Sequence, residues 1–155
     1  MQFTYLNNRR TTQALLVLVE SIKSSLIAGS KAGAVFFDFA DAFGSVDRNR
    51  LLLKVSRDFG ISGKLFMHIN SFLRDRFARI KANDVCGDCI ESTMGTSPGA
   101  RMRPLLFICY VHDVPLTIYP KFADNLVAVS IDKSCAEIVV NLQKAVDDLV
   151  AWTEE

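Results

Sequence analysis

The chain has 155 residues, half of them hydrophobic and 23% charged. That balance suits one domain of ordinary size with ample apolar material for a core, and it excludes wholesale disorder. A formal net charge of +1 excludes a strong overall field, so any nucleic-acid surface must be a local basic patch.

Residues 1–10 are polar and aromatic without a clear period and end in Arg9-Arg10. Thr11 or Thr12 can cap a helix running to about Ala28, with Gly29 as its stop. Its apolar positions, Leu15, Leu18, Val19, Ile22 and Leu26, recur at helical spacing. Gly33 opens a strand, Ala34 to Asp38, that rises to a lone carboxylate in apolar company. Gly44-Ser45 turns the chain, Asp47 caps a helix through Phe59, and Gly60 stops it. A further helix over about Lys64 to Leu73 carries Leu65, Phe66, Ile69 and Phe72 on a broad apolar face. Phe77 to Asn83 alternates apolar and basic residues, with Arg79 and Lys81 on one face, and reads as a half-exposed strand. Asn83-Asp84 is a turn signal and Val85 to Glu91 the returning strand.

Met94 to Arg103 has loop composition. Pro104 suits the first turn of a helix reaching about His112, where it breaks no hydrogen bond. Phe122-Ala123-Asp124-Asn125 lies between two β-prone runs, the second being Leu126 to Ile131, and an Asx pair there suits a tight hairpin turn. Ser134 to Glu137 has capping-box spacing ahead of an amphipathic helix to the C-terminus. Strands and helices alternate irregularly, with hairpins and long crossovers, so the expected class is α+β, with all 155 residues in one domain. The apolar runs Ala14–Val19 and Leu105–Val111 fall short of the ~18 residues that a membrane span needs, and Met1 to Arg10 lacks the apolar core of a signal peptide. No membrane partner is expected, and four scattered cysteines fit a reducing, intracellular compartment better than a disulfide framework.

Asp38 and Asp124 each follow an apolar strand. Burying an unpaired carboxylate costs several kcal/mol or forces protonation, so each belongs at a rim. Taken alone, Asp38 also reads as a strand-end cap of the following turn. If the two strands lie side by side, the carboxylates face one another, an arrangement stabilised by a divalent cation. Magnesium favours such hard oxygen ligands.

The ordered set Gln2-Phe3, Thr11-Thr12-Ala14-Leu15, Val35-Phe36-Phe37-Asp38-Phe39, Ala42-Phe43, Val46-Asp47, Gly95, Gly99, Pro104-Leu105-Leu106-Phe107, Tyr110, Asp113 and Phe122-Ala123-Asp124 resembles the reverse-transcriptase domain of non-LTR, jockey-like retrotransposons. The resemblance implies a polymerase palm-like antiparallel sheet with helices on one face, a β-hairpin and part of the fingers. It leaves the upstream fingers, the primer grip and the thumb outside these 155 residues. The implied activity is RNA-directed DNA synthesis with two Mg2+ ions, an RNA template, a DNA primer and deoxynucleoside triphosphates, with work in the nucleus. Residue by residue it implies Asp38 and Asp124 as catalytic metal ligands with Asn125 beside them, and the Phe39 carbonyl and Gly99 near the nucleotide. Phe43 would be the aromatic gate under the sugar.

The chain departs from that pattern at Asn125 (Asp in the family), Pro98 (Gln), Arg103 (a small residue) and Gly44 (commonly Asp). Loss of a charge at Asn125 and of a side-chain amide at Pro98 points to weakened metal and nucleotide binding. The alternative is therefore a non-catalytic, decayed or domesticated remnant that binds nucleic acid or protein. Arg9, Arg10, Arg79 and Lys81 are candidates for phosphate contact or for a solvated face. Cys86-Gly-Asp-Cys89 has half-zinc-site spacing but no second pair to complete it. His68, His112, Met94 and Met102 carry no ligand pattern, and Trp152 belongs to the apolar face of the last helix.

Overall fold

The computed structural model describes residues 11–115, 118–122 and 125–154, which form a mixed α+β chain of five helices and two small antiparallel sheets. Helix α1 (Thr11–Ile27) ends at the expected stop. Gly29 takes φ +78°, its N–H donates to the Leu26 carbonyl at 3.0 Å, and the Ser30 N–H donates to the Ser25 carbonyl at 3.0 Å. These paired bonds are a Schellman end, which needs a left-handed residue that glycine adopts without a Cβ clash.

Strand β1 (Lys31–Asp38) begins at Lys31 rather than Gly33. It pairs antiparallel with the strand Asn125–Asp132 along its whole length, from Lys31↔Asp132 to Asp38↔Asn125. The other neighbour of Asn125–Asp132 is the strand Ile118–Phe122, with Phe122 opposite Asn125. In chain order these are β5 and β4, and the sheet order is β1-β5-β4. The two strands of the expected hairpin are thus in place, while Ala123 and Asp124 lie outside the described residues. The β4–β5 ladder slips between Ile118 and Lys121. Pro120 has no N–H to give to a ladder, and an edge strand at an irregularity is where a proline is tolerated.

The last helix, Cys135–Glu154 (α5 in chain order), packs on β5 and β1, and Gly33 is what lets it close. A Cβ there would lie 2.6 Å from Ile138 Cγ2 and 3.0 Å from Leu142 Cδ1. Opposite Gly33 in register, Ser130 Oγ accepts from Asn141 Nδ2 at 3.3 Å. Ile138, Ala145, Leu149 and Trp152 are the buried residues of this helix. The Ser134 N–H ahead of it donates to Asp132 Oδ1 at 2.8 Å. Together with α1, which contacts β4 and β1, these elements make one compact unit, and Ala40–His112 make a second.

In the second unit Asp47 caps α2 (Arg48–Arg57) by accepting from the Arg50 N–H at 2.7 Å, as the sequence predicts. Gly60 takes φ +63° past its end. Leu51, Leu52 and Val55 are buried on α2, at the spacing of one helix face. Helix α3 (Gly63–Leu73) packs on α2, burying Ile69 and Leu73. Leu65, expected on the packed face, is 55% exposed. A broad apolar face exceeds what one neighbouring helix covers, and the buried stripe narrows to an i, i+4 pair.

The hairpin of β2 (Phe77–Ala82) and β3 (Val85–Glu91) turns at Asn83, φ +54°. Every residue of both strands is exposed, where the alternation predicts one covered face. The two strands form a sheet of their own, and period-2 patterning cannot say whether anything covers it. Helix α4 (Arg103–Tyr110) carries Pro104 in its first turn, as expected, and buries Leu106, Phe107 and Cys109. No helix among the described residues is long and apolar enough to cross a membrane.

Candidate functional site

Strand β1 ends on Asp38 and β5 begins on Asn125, and the two are direct cross-strand partners. Side chains of paired residues share a face, so the Asp38 carboxylate and the Asn125 amide stand together at one end of the three-stranded sheet. Both are exposed. The Asp38 carboxylate meets no hydrogen-bond or ion-pair partner among the described residues. Two residues back on the same face, Phe36 is 71% exposed. Asp124 immediately precedes Asn125 in sequence and lies outside the described residues, as do Arg9 and Arg10. Phe39 is half-buried, its ring 6.2 Å from that of Trp152. Trp152 is buried, as its helical position predicts, and donates from Nε1 to Asp113 Oδ1 at 2.9 Å.

Phe43 and Gly99 belong to the other unit. The Phe43 ring lies 4.7 Å from Phe107, tilted by 42°, and the Arg103 guanidinium carbon sits 4.3 Å from its centroid. The Phe43 carbonyl accepts from the Thr96 N–H at 3.0 Å. Gly99 takes φ +76°, and a Cβ there would meet nothing within 4 Å. Its backbone conformation therefore accounts for glycine, and the space beside it is open.

Gly44, read from sequence as a departure, has a structural reason. A Cβ on it would overlap the Asp41 carboxylate, and Gly95 packs directly on its backbone. Gly95 has φ +76°, its would-be Cβ lies 2.6 Å from the Gly44 oxygen, and its N–H donates to the Val46 carbonyl at 2.8 Å. This turn and the 94–97 loop are bound edge to edge.

No family model matches this sequence, and none of the curated proteins matches it.

Sequence reasoning missed three constellations in this second unit. Arg48 clamps the loop: Nε donates to the Gly95 carbonyl at 2.7 Å, the Nη groups to Ser92 O, to Ser92 Oγ at 3.0 Å and to Met94 O at 2.6 Å. Partial desolvation, then repulsion from Arg76, pulls this guanidinium below its ordinary value, with Glu91 opposing. Lys54 is buried, and its ammonium donates at 2.8 Å to the carbonyl of Tyr110, the last residue of α4. A cation there meets the negative end of the helix dipole. His112, unmarked in the sequence, donates from Nδ1 to the Cys109 carbonyl at 2.9 Å and faces Asp58 Oδ2 from Nε2 at 3.2 Å. A residue-type run around Arg48, Lys54 or His112 carries no signal for partners as far along the chain as Gly95, Tyr110 and Asp58.

Arg79 and Lys81 are exposed on one face of β2, opposite Cys89 and Cys86 respectively. A register shift opposite Ile80 brings both thiols to that same face. Both are free and exposed.

Proposed function

We propose that this chain is the palm portion of a reverse transcriptase related to those of non-LTR, jockey-like retrotransposons. Its ancestral activity is RNA-directed DNA synthesis, addition of a deoxynucleotide to a primer 3′-hydroxyl against an RNA template. The observation that carries the reading is the cross-strand pairing of Asp38 with Asn125. It supports the expectation that the acid ending β1 and the Asp124-Asn125 pair, whose Asn125 opens β5, act at one rim. The antiparallel order β1-β5-β4, with α1 and α5 on those strands, is compatible with a palm-like sheet.

The donor set suits a hard divalent ion, since the exposed Asp38 carboxylate and Asn125 amide offer oxygen ligands only. Asp38, with Asp124 and Asn125, would hold magnesium, which when bound lowers the pKa of a hydroxyl nucleophile and stabilises the leaving oxygen. Phe39 contributes its carbonyl beside Asp38, Gly99 lies in the loop along the nucleotide, and Phe43 supports the sugar.

The second reading, a non-catalytic remnant that binds nucleic acid or protein, is favoured by the departures. Asn125 removes one negative charge from the metal rim, Pro98 removes a side-chain amide and a backbone donor, and Arg103 stands against Phe43. Primer extension on an RNA template with Mg2+ or Mn2+ separates the two. The chain as it stands is expected to give no detectable extension. With the upstream fingers, primer grip and thumb supplied, Asp38-dependent extension after Pro98→Gln with Asn125→Asp supports the polymerase reading. Extension that survives Asp38→Ala contradicts the site, and silence of the repaired chain with those parts supplied places the damage in the fold or overturns the residue correspondence.

A further inference from the structure

We infer that Arg103 covers the face of Phe43 on which a nucleotide sugar would lie, so that this one side chain decides whether the unit admits a nucleotide. The inference rests on the sugar-supporting role proposed above for Phe43. A separation of 4.3 Å between the guanidinium carbon and the Phe43 centroid is contact between a planar cation and an aromatic face. A sugar carbon needs roughly 3.5–4 Å of its own from the ring, so guanidinium and sugar cannot share that face.

The ring has little freedom to turn away. Phe107, fully buried in α4, meets it at 4.7 Å. Thr96 holds the Phe43 carbonyl through its N–H at 3.0 Å. Arg103 is equally anchored, since it opens α4 just before Pro104 and its own N–H donates to the Ala100 carbonyl at 3.1 Å. Its Nε is buried and meets no acceptor among the described residues. The stack on Phe43 is therefore what seats the guanidinium, and truncating Arg103 removes the cover while leaving no partner of Nε orphaned.

The test is 19F NMR on the full chain with 4-fluorophenylalanine in place of Phe43, with and without Arg103→Ala and with dTTP as the probe. Arg103→Ser replaces the alanine variant if that one fails to fold. The expected result has two parts: the 43 resonance shifts on removal of Arg103, and dTTP then moves it further in the variant while leaving the Arg103 chain unchanged. A resonance that ignores Arg103→Ala shows that the cover is absent and overturns the inference, with the role of Phe43 intact. Perturbation by dTTP in both chains overturns the inference and supports that role. A freed ring that dTTP never perturbs overturns both.

Discussion

Gly95→Ala is expected to be among the most damaging single-methyl changes in the Ala40–His112 unit. Two costs add. A non-glycine residue at φ +76° sits in the left-handed region at about 1–2 kcal/mol. The new Cβ would also lie 2.6 Å from the Gly44 oxygen and 2.8 Å from its Cα. Both are backbone atoms that no rotamer change can move, and relieving such overpacking costs typically about 1–3 kcal/mol. The sum is roughly 2–5 kcal/mol, reached by prising the loop from the turn at the Gly95–Val46 and Thr96–Phe43 hydrogen bonds. Urea unfolding of the full chain, followed by circular dichroism, measures it. Gly60→Ala is the control in the same unit, because Gly60 has φ +63° with nothing within 4 Å of a Cβ and feels only the conformational term. Equal losses from the two substitutions would refute the close approach of Gly95 to Gly44.

Three further expectations follow, one from a hydrogen bond and two from a buried thiol. Trp152→Phe removes the donor to the Asp113 carboxylate and should cost about 1.5–3 kcal/mol, the range for a hydrogen bond to a charged group; retention of full stability in urea would show that the bond contributes nothing. Burial raises the Cys109 thiol above its ordinary value of 9.0, so in the native chain Ellman's reagent should react promptly with the exposed Cys86, Cys89 and Cys135 and reach Cys109 only in denaturant. The same burial has a pH consequence: the unfolded thiol ionises first, so this contribution to stability is intact below pH 9.0 and is lost as pH rises through the higher folded value. Cys109→Ala should flatten that alkaline slope, and an unchanged slope would contradict it.

Local chemistry was legible in the sequence because its causes are local. Gly29 and Gly60 end helices through their own backbone freedom, Asp47 caps through a bond three residues away, and Asn83 turns a hairpin that its flanking strands require. The Asp38 strand and the β4–β5 pair were likewise readable from apolar runs. What escaped were contacts decided elsewhere in the fold. Arg48 acquires its partners only from the 92–95 loop beside its side chain, and Lys54 only from the end of α4. The apolar positions of α3 outnumbered what its neighbour could cover, so periodicity overstated its buried face. Gly44 reads in opposite directions at the two levels: a lost acid by pattern, and a close backbone contact by structure. The partnership of Asp38 with Asn125 needed the register of two strands far apart in sequence, which no periodicity fixes.

Paramagnetic broadening of backbone amides by Mn2+ in the full chain tests the divalent-cation rim proposed for the Asp38 end of β1 and the Asn125 end of β5. Broadening is expected to centre on Asp38 and Asn125, to be abolished by Asp38→Asn and to be strengthened by Asn125→Asp. Broadening centred elsewhere, or unchanged in Asp38→Asn, would contradict it.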